Sequence, residues 1–186
     1  MQPRDRDHQG PGRRLAGIMS DSTTTGASRD RPDAYIPRDR RWALHHGHAL
    51  PDRVRGSALF ADISGFTSMS ERMAPSAVAL LLNDYLSRMT DVIFKYEGTL
   101  DKYIGDAIMA VFGAPLDMPD HAQRAIRTAL EMQERLAEWN GERKEGPAFR
   151  VRIGINSGKA VAGEIGSVNK KEYTVLGDTV NTASRL

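Results

Sequence analysis

Two short segments place an aspartate beside a glycine at a predicted strand end, and they constrain this chain more than any other feature. The first, FADISGFT, runs from Phe60 to Thr67, and the second, KYIGDA, runs from Lys102 to Ala107. In the first segment Asp62 ends an apolar run and is followed by a glycine-containing turn. Successive backbone N–H groups in such a turn can hold phosphate oxygens.

The two aspartates, Asp62 and Asp106, predict a site for a hard divalent cation. Either one alone is better explained as a helix cap or a turn residue. The order of predicted elements, however, makes the strand that ends at Asp62 a neighbour of the hairpin that carries Asp106, so the two carboxylates can converge. Two carboxylates together with substrate phosphates suit Mg²⁺ or Mn²⁺. The pair therefore predicts a metal held against a triphosphate.

Hydrophobic periodicity predicts an α+β fold. The order of the first elements matches βαββαβ, a ferredoxin-like antiparallel sheet with helices packed on it. Near the C-terminal end, Ser157-Gly158 is interpreted as a turn between two strands. Strands are predicted over 57–63, 99–104, 107–112, 149–155, 160–165 and 172–176, and helices are predicted to open at Pro75, Pro119 and Asp178.

Composition excludes several classes of protein. The chain has no cysteine, so disulfides and thiolate metal sites are excluded. The net charge of +2 is too balanced to favour nucleic acid as a partner. No apolar run approaches the roughly 18 residues that a membrane span needs, and no signal-peptide pattern is visible. We therefore expect a cytoplasmic protein with no membrane span in this chain.

The first 50 residues differ from the rest because they are polar, rich in arginine and nearly free of apolar periodicity. Such a segment buries too little surface to offset its ordering entropy, so we expect residues 1–50 to be disordered or loosely ordered. Translation that starts at Met19 is an alternative. The HHGH cluster from His45 to His48 has ligands for a metal, but no second cluster accompanies it, so a solvated segment is the preferred interpretation.

Four segments resemble, in the same order, the catalytic domain of class III nucleotidyl cyclases, the adenylate and guanylate cyclase family. They are FADISGFT, EGTLDKYIGDAIMAVFGAP, RVRIGINSGKAVAGEIG and YTVLGDTVNTASRL. The resemblance covers residues 55–186 and implies the ferredoxin-like core of that domain. Because the family's domain continues past the position of Leu186, the resemblance also implies a fold that is incomplete at the C-terminus and lacks a lysine that contacts the triphosphate.

The resemblance assigns metal and phosphate ligands by position. Asp62 and Asp106 match the two metal-binding aspartates, and the backbone carbonyl of Ile63 is a further ligand. Two Mg²⁺ or Mn²⁺ ions per site are implied. The remaining matches are to residues that contact the triphosphate, namely Gly65, Phe66 and Thr67 in the turn and Arg152 on a strand.

The resemblance also assigns residues that contact the base and the ribose. Lys102 and Thr174 match the pair that recognises the purine, and they resemble the pattern of adenylate cyclases. Lysine only donates hydrogen bonds, which suits N1 of adenine, an acceptor, and disfavours the N1–H of guanine. Asn181 and Arg185, four residues apart and so on one helix face, resemble the asparagine that orients the ribose and the arginine that stabilises the transition state.

The implied activity is that of an adenylate cyclase, which makes 3′,5′-cyclic AMP and pyrophosphate from ATP for cyclic-nucleotide signalling. In the family the site forms between two protomers, so a homodimer is implied, with the metal aspartates from one chain and the purine pair, asparagine and arginine from the other. Two alternatives stay open. One is a guanylate cyclase, and the other is an inactive cyclase-like dimerisation or regulatory module, because the C-terminal segment is missing.

Overall fold

The computed structural model describes residues 51–143 and 148–185. The predictions for residues 1–50, including the histidine cluster, lie outside these residues. Among the described residues, no helix has the length and apolar character needed to cross a membrane. In chain order the elements are β1 (Asp52–Ile63), α1 (Phe66–Ser70), α2 (Pro75–Lys95), β2 (Thr99–Ile104), β3 (Ala107–Phe112), α3 (His121–Glu142), β4 (Val151–Gly166), β5 (Lys171–Leu176) and α4 (Asp178–Ala183).

The strands form one antiparallel sheet in the order β2-β3-β1-β4-β5. The first four strands together with α2 and α3 give the βαββαβ arrangement, so the predicted α+β fold, an antiparallel sheet with helices packed on it, is confirmed. The strand β5 and the helix α4 follow this core. In the sheet, β1 lies between β3 and β4, which brings the end of β1 next to the β2–β3 hairpin.

The main core lies between one face of the sheet and the helices α2 and α3. Leu59, Ala61 and Ile63 alternate along β1 and are each no more than 2% exposed, as expected for a strand with one face on the core. Their partners in this core share an apolar side chain and a buried position: Tyr85, Met89 and Ile93 from α2, Met132, Leu136 and Trp139 from α3, and Ile108 and Phe112 from β3.

The opposite face of the sheet carries a second apolar cluster of smaller side chains. Its buried members come from four strands, from the loop after β3 and from α4: Ala58, Met109, Val111, Ala114, Ala160, Ala162, Val175, Val180 and Ala183. Asp62 has the same parity in β1 as Ala58, so its side chain belongs to this second face and points away from α2 and α3. The alternation of side chains along β1 therefore places the carboxylate of Asp62 on the second face of the sheet.

The predicted turn at Ser157-Gly158 is wrong. Both residues lie inside β4, which runs unbroken for 16 residues. Ser157 pairs with Ser57 and Gly158 with Gly56, within a β1–β4 ladder that extends from Asp52 to Ile63. Gly158 does not form a turn but lets Thr179 of α4 approach β4 closely. A Cβ at position 158 would lie 2.6 Å from Thr179 Oγ1.

Candidate active site

Asp62 and Asp106 come together where β1 ends beside the β2–β3 turn. Asp106 follows Gly105, whose φ of 64° favours glycine and lets the hairpin turn sharply. Asp106 Oδ2 accepts a hydrogen bond from the backbone N–H of Ile63 at 3.2 Å. Burial raises the pKa of Asp106, and the nearby charge of Asp62 raises it further. The two acids thus share one negative site, and a cation there would relieve their repulsion.

The donor set of this site fits a hard divalent cation. Asp62 and Asp106 offer carboxylate oxygens, and Ile63 between β1 and the turn offers a backbone carbonyl. Within residues 51–143 and 148–185, no three or more histidine, aspartate or glutamate side chains gather into a complete metal site. A metal at Asp62 and Asp106 would therefore need further oxygen ligands, and substrate phosphates are oxygen ligands of that kind.

The turn after β1 has a geometry set by Gly65. This residue has φ 75° and ψ 17°, a left-handed conformation, and it caps the N-terminus of the five-residue helix α1. The preceding N–H of Ser64 donates to the carbonyl of Arg150 at 2.8 Å, which ties the turn to the residue just before β4. Gly65 and Thr67 are exposed, and Phe66 is half-buried against the main core.

Arg152 is the direct cross-strand partner of Asp62 in the β1–β4 ladder. Its Nη2 donates to Asp62 Oδ2 at 2.5 Å. The side chain of Arg152 is 71% exposed, and that of Asp62 is 38% exposed. The guanidinium therefore sits at the open side of the acidic pair, where it can also reach an anion.

Lys102 and Thr174 belong to opposite edge strands, β2 and β5, and a third residue links them. Thr174 Oγ1 donates to Asp101 Oδ2 at 2.7 Å, and Lys102 Nζ lies 3.3 Å from Asp101 Oδ1. Lys102 Nζ also lies 3.6 Å from a carboxylate oxygen of Glu172. Among the described residues, neither Lys102 nor Thr174 hydrogen-bonds to Asp62 or Asp106. The predicted base contacts and the predicted metal ligands thus form two groups.

The helix α4 is fixed on β4 through Thr179. Its Oγ1 donates to the carbonyl of Lys159 at 2.8 Å, and its own carbonyl accepts from Asn156 Nδ2 at 3.0 Å. Asn181 lies on α4 and Arg185 follows it, and both are exposed.

A cavity of about 130 Å³ lies at the C-terminal end of α4. It is lined by Phe60, Asp62, Arg152, Gly154, Ala183, Ser184 and Arg185. Within one chain, therefore, Arg185 borders the same space as one of the two acids and its arginine partner.

Asp101 is the residue that the sequence did not single out. A regular strand would direct Asp101 and Lys102 to opposite faces. The β2–β3 pairing, however, passes from Leu100↔Ala110 directly to Lys102↔Met109, which leaves Asp101 as the extra residue of a β-bulge. The only signal in the sequence is an acid next to the lysine in a short strand, and no residue pattern in that strand indicates the bulge.

Comparison with known proteins gives one consistent result. Residues 53–186 match the family described as the adenylate and guanylate cyclase catalytic domain. The chain is 37% identical over 177 residues to adenylate cyclase 1 of Rhizobium meliloti, which covers 89% of this chain and 27% of that protein. The chain spans about a quarter of the length of the curated relatives it matches.

Solved structures of both specificities are similar to this chain. The adenylyl cyclase CyaB from P. aeruginosa matches with a TM-score of 0.67 and 34% identity, over 73% of this chain and 72% of that one. The guanylyl cyclase Cya2 matches with a TM-score of 0.69 and 40% identity, over 72% of this chain and 69% of that one.

Proposed function

This chain belongs to the family of adenylate and guanylate cyclase catalytic domains, and from that premise we propose that it is an adenylate cyclase. It would convert ATP to 3′,5′-cyclic AMP and pyrophosphate. The observation that carries the proposal is the acidic pair, Asp62 and Asp106. The N–H of Ile63, the residue after Asp62, donates a hydrogen bond to Asp106 and keeps the two acids close. The choice of ATP over GTP is supported by Lys102 and Thr174.

In the proposed reaction the ribose 3′-oxygen forms a bond to the α-phosphorus, and the bond from that phosphorus to the bridging oxygen of the β-phosphate breaks. The 3′-hydroxyl proton is released, and pyrophosphate leaves with the bonding electrons. Asp62, Asp106 and the carbonyl of Ile63 would hold two Mg²⁺ or Mn²⁺ ions. When bound, such ions lower the pKa of a coordinated hydroxyl and neutralise phosphate charge.

The remaining roles fall to positively charged and hydrogen-bonding residues of this chain. The amides of Gly65, Phe66 and Thr67 would hold the triphosphate. Arg152 would exchange its ion pair with Asp62 for a phosphate contact. Asn181 would orient the ribose, and Arg185 would stabilise the charge that develops on the α-phosphate.

We also propose that the active enzyme is a homodimer with a site at each side of the interface. Two observations support this. The acids and the base-contacting pair form separate groups in one chain. The cavity beside Asp62 has a volume of about 130 Å³, whereas sites for small molecules usually measure about 300–1,000 Å³. A second copy would supply the rest of the walls.

The test is cyclic AMP production from ATP by the purified chain with Mn²⁺, beside Asp106→Ala. Asp117→Ala is a matched control, because Asp117 is an exposed aspartate in the loop after β3. We expect activity in the wild type and the control, and loss of at least about 100-fold in Asp106→Ala. Activity that survives in Asp106→Ala would overturn the metal assignment. Cyclic GMP from GTP as the preferred product would make the chain a guanylate cyclase.

A further inference from the structure

Asp101 is an acid held almost completely out of water at the edge of the sheet. Its side chain is 3% exposed, although β2 is an edge strand and its neighbour Lys102 is 36% exposed. The bulge at Asp101 explains this position, because the extra residue turns toward β5 instead of continuing the alternation of β2. A buried carboxylate of this kind needs partners.

The partners of Asp101 are the two side chains proposed to contact the base. Its Oδ2 accepts from Thr174 Oγ1 at 2.7 Å and from the backbone N–H of Val175 at 3.3 Å. Among the residues that the structure describes, its Oδ1 receives no hydrogen bond of good geometry, and it lies 3.3 Å from Lys102 Nζ. One carboxylate thus contacts both members of the pair.

We propose that Asp101 is a positioning residue that makes Thr174 a hydrogen-bond acceptor toward the substrate, and that it thereby selects adenine over guanine. This inference rests on the proposed function, in which Lys102 and Thr174 contact the purine.

The hydroxyl of Thr174 has a single hydrogen and can donate only one hydrogen bond. A carboxylate only accepts hydrogen bonds, so the hydroxyl hydrogen of Thr174 must point to Asp101. The lone pairs of Thr174 Oγ1 are all that remains for a ligand. The exocyclic amino group of adenine is a donor and satisfies them, whereas the corresponding O6 of guanine is an acceptor and does not.

Burial strengthens this selection. Thr174 is only 7% exposed, so water has little access to a mismatched pair of acceptors. An unsatisfied buried acceptor costs far more than a solvated one. Without Asp101 the hydroxyl of Thr174 could rotate and donate to guanine, and the chain would lose discrimination on this side of the base.

Lys102 favours adenine at N1 but discriminates less sharply than Thr174. It has three donors, and one of them faces Asp101. The others can approach N1 of adenine but also O6 of guanine. The contact of Asp101 with Lys102 therefore fixes the position of the ammonium group. The contact of Asp101 with Thr174 makes the Thr174 hydroxyl an acceptor toward the base.

The experiment compares kcat/KM for ATP and GTP in the wild type, Asp101→Asn, Thr174→Val and the double variant. Asparagine keeps the size of Asp101 but can donate to Thr174, which frees the hydroxyl hydrogen. We expect Asp101→Asn to lower the ratio for ATP over GTP about tenfold. In the Thr174→Val background the same substitution should change the ratio little, because the hydroxyl through which Asp101 acts is absent.

Two further variants separate positioning from general stability. Thr174→Ser keeps the hydroxyl and should keep the preference for ATP. Glu172→Gln removes the other carboxylate near Lys102 and should leave the ratio unchanged. A merely structural role for Asp101, joining β2 to β5, would lower Tm and both kcat/KM values together without changing their ratio.

The outcomes are distinct. If the wild type makes cyclic AMP from ATP and Asp101→Asn leaves the ratio unchanged, the inference is wrong and the proposed function stands. If Asp101→Asn acts as strongly in the Thr174→Val background, Asp101 does not act through Thr174.

Dissociation constants of ATP and GTP from equilibrium dialysis repeat the comparison without turnover. A wild type that binds ATP no better than GTP overturns the inference, and one that makes no cyclic nucleotide overturns the proposed function.

Discussion

At the scale of single residues, Asp106 is an acid whose charge opposes folding. Its pKa is raised chiefly by burial and further by the charge of Asp62. A carboxyl group whose folded-state pKa lies above that of the unfolded chain, about 3.9, contributes stability below that pH. The contribution is lost as the pH rises through the folded-state pKa. Above that folded-state pKa, the metal-free protein carries the full penalty of ionising Asp106.

Asp106→Asn should remove this penalty, because asparagine cannot ionise and its Oδ1 can still accept from Ile63 N–H. We predict a higher free energy of unfolding than in the wild type at pH 7 with EDTA present. The difference should shrink as the pH falls toward about 4. Urea unfolding at several pH values measures it, with Asp117→Asn as a control for the loss of one negative charge. An Asp106→Asn protein that is less stable than the wild type at pH 7 would contradict the electrostatic account.

Tyr85 carries a hydroxyl that is buried near the acidic pair of Asp62 and Asp106. The side chain is 0% exposed, and within the described residues its hydroxyl has no hydrogen-bond partner. Burial raises the pKa of Tyr85, and the charges of Asp106 and Asp62 add to this, so the hydroxyl stays protonated.

Tyr85→Phe should therefore stabilise the protein, unlike most core substitutions. We predict an increase in the free energy of unfolding of about 1 kcal/mol, because an unsatisfied buried hydroxyl is removed and the ring packing is kept. Thermal and urea unfolding provide the measurement. A decrease of similar size would show that the hydroxyl has a partner, such as a buried water.

At the scale of elements, the contact of α4 with β4 depends on the absence of a side chain at Gly158. A Cβ there would lie 2.6 Å from Thr179 Oγ1, which is held by its hydrogen bond to the carbonyl of Lys159. We predict that Gly158→Ala costs about 1–3 kcal/mol of stability. It should also lower cyclase activity, because it displaces the helix that carries Asn181.

Gly141→Ala is the matched control for that substitution. Gly141 lies in the last turn of α3, and a Cβ there would meet no atom within 4 Å. Alanine is the better helix former, so we expect a gain of about 0.5 kcal/mol and unchanged activity. Equal losses from the two substitutions would show that the close approach at Gly158 is not the cause.

The sequence predicts an element correctly when the residues that determine the element lie within it or beside it in the chain. The hairpin strands β2 and β3 have the predicted bounds, because Gly105 and the flanking apolar runs mark them locally. Ser157-Gly158 misled the prediction because the same dipeptide that favours a turn also permits close packing in a long strand. That distinction depends on the packing of α4 against β4, which no local pattern reveals. The bulge at Asp101 depends in the same way on β5.

At the scale of the whole molecule, the order of elements is enough to predict the sheet and the proximity of Asp62 to Asp106. A βαββαβ chain puts its first strand beside its hairpin, whatever the side chains. The link between Asp101 and Thr174 could not be predicted, because it joins residues 73 positions apart on opposite edge strands. The position of Arg185 in a cavity with Asp62 of the same chain likewise follows only from the folded structure.

The cavity beside Arg185 raises the question of which protomer supplies each side chain. If the site is shared between two copies, Asp106 and Arg185 act in one site from different chains. If Arg185 acts beside Asp62 of its own chain, each protomer holds both groups. Two inactive variants distinguish these arrangements when they exchange subunits.

The most direct measurement is cyclic AMP production by an equal mixture of Asp106→Ala and Arg185→Ala proteins. We predict that each variant alone is inactive and that the mixture recovers about a quarter of wild-type activity. Half of the dimers would be mixed, and one of the two sites in each would be intact. A mixture that stays at the level of the single variants, although subunit exchange is verified by tagged pull-down, would contradict a shared site.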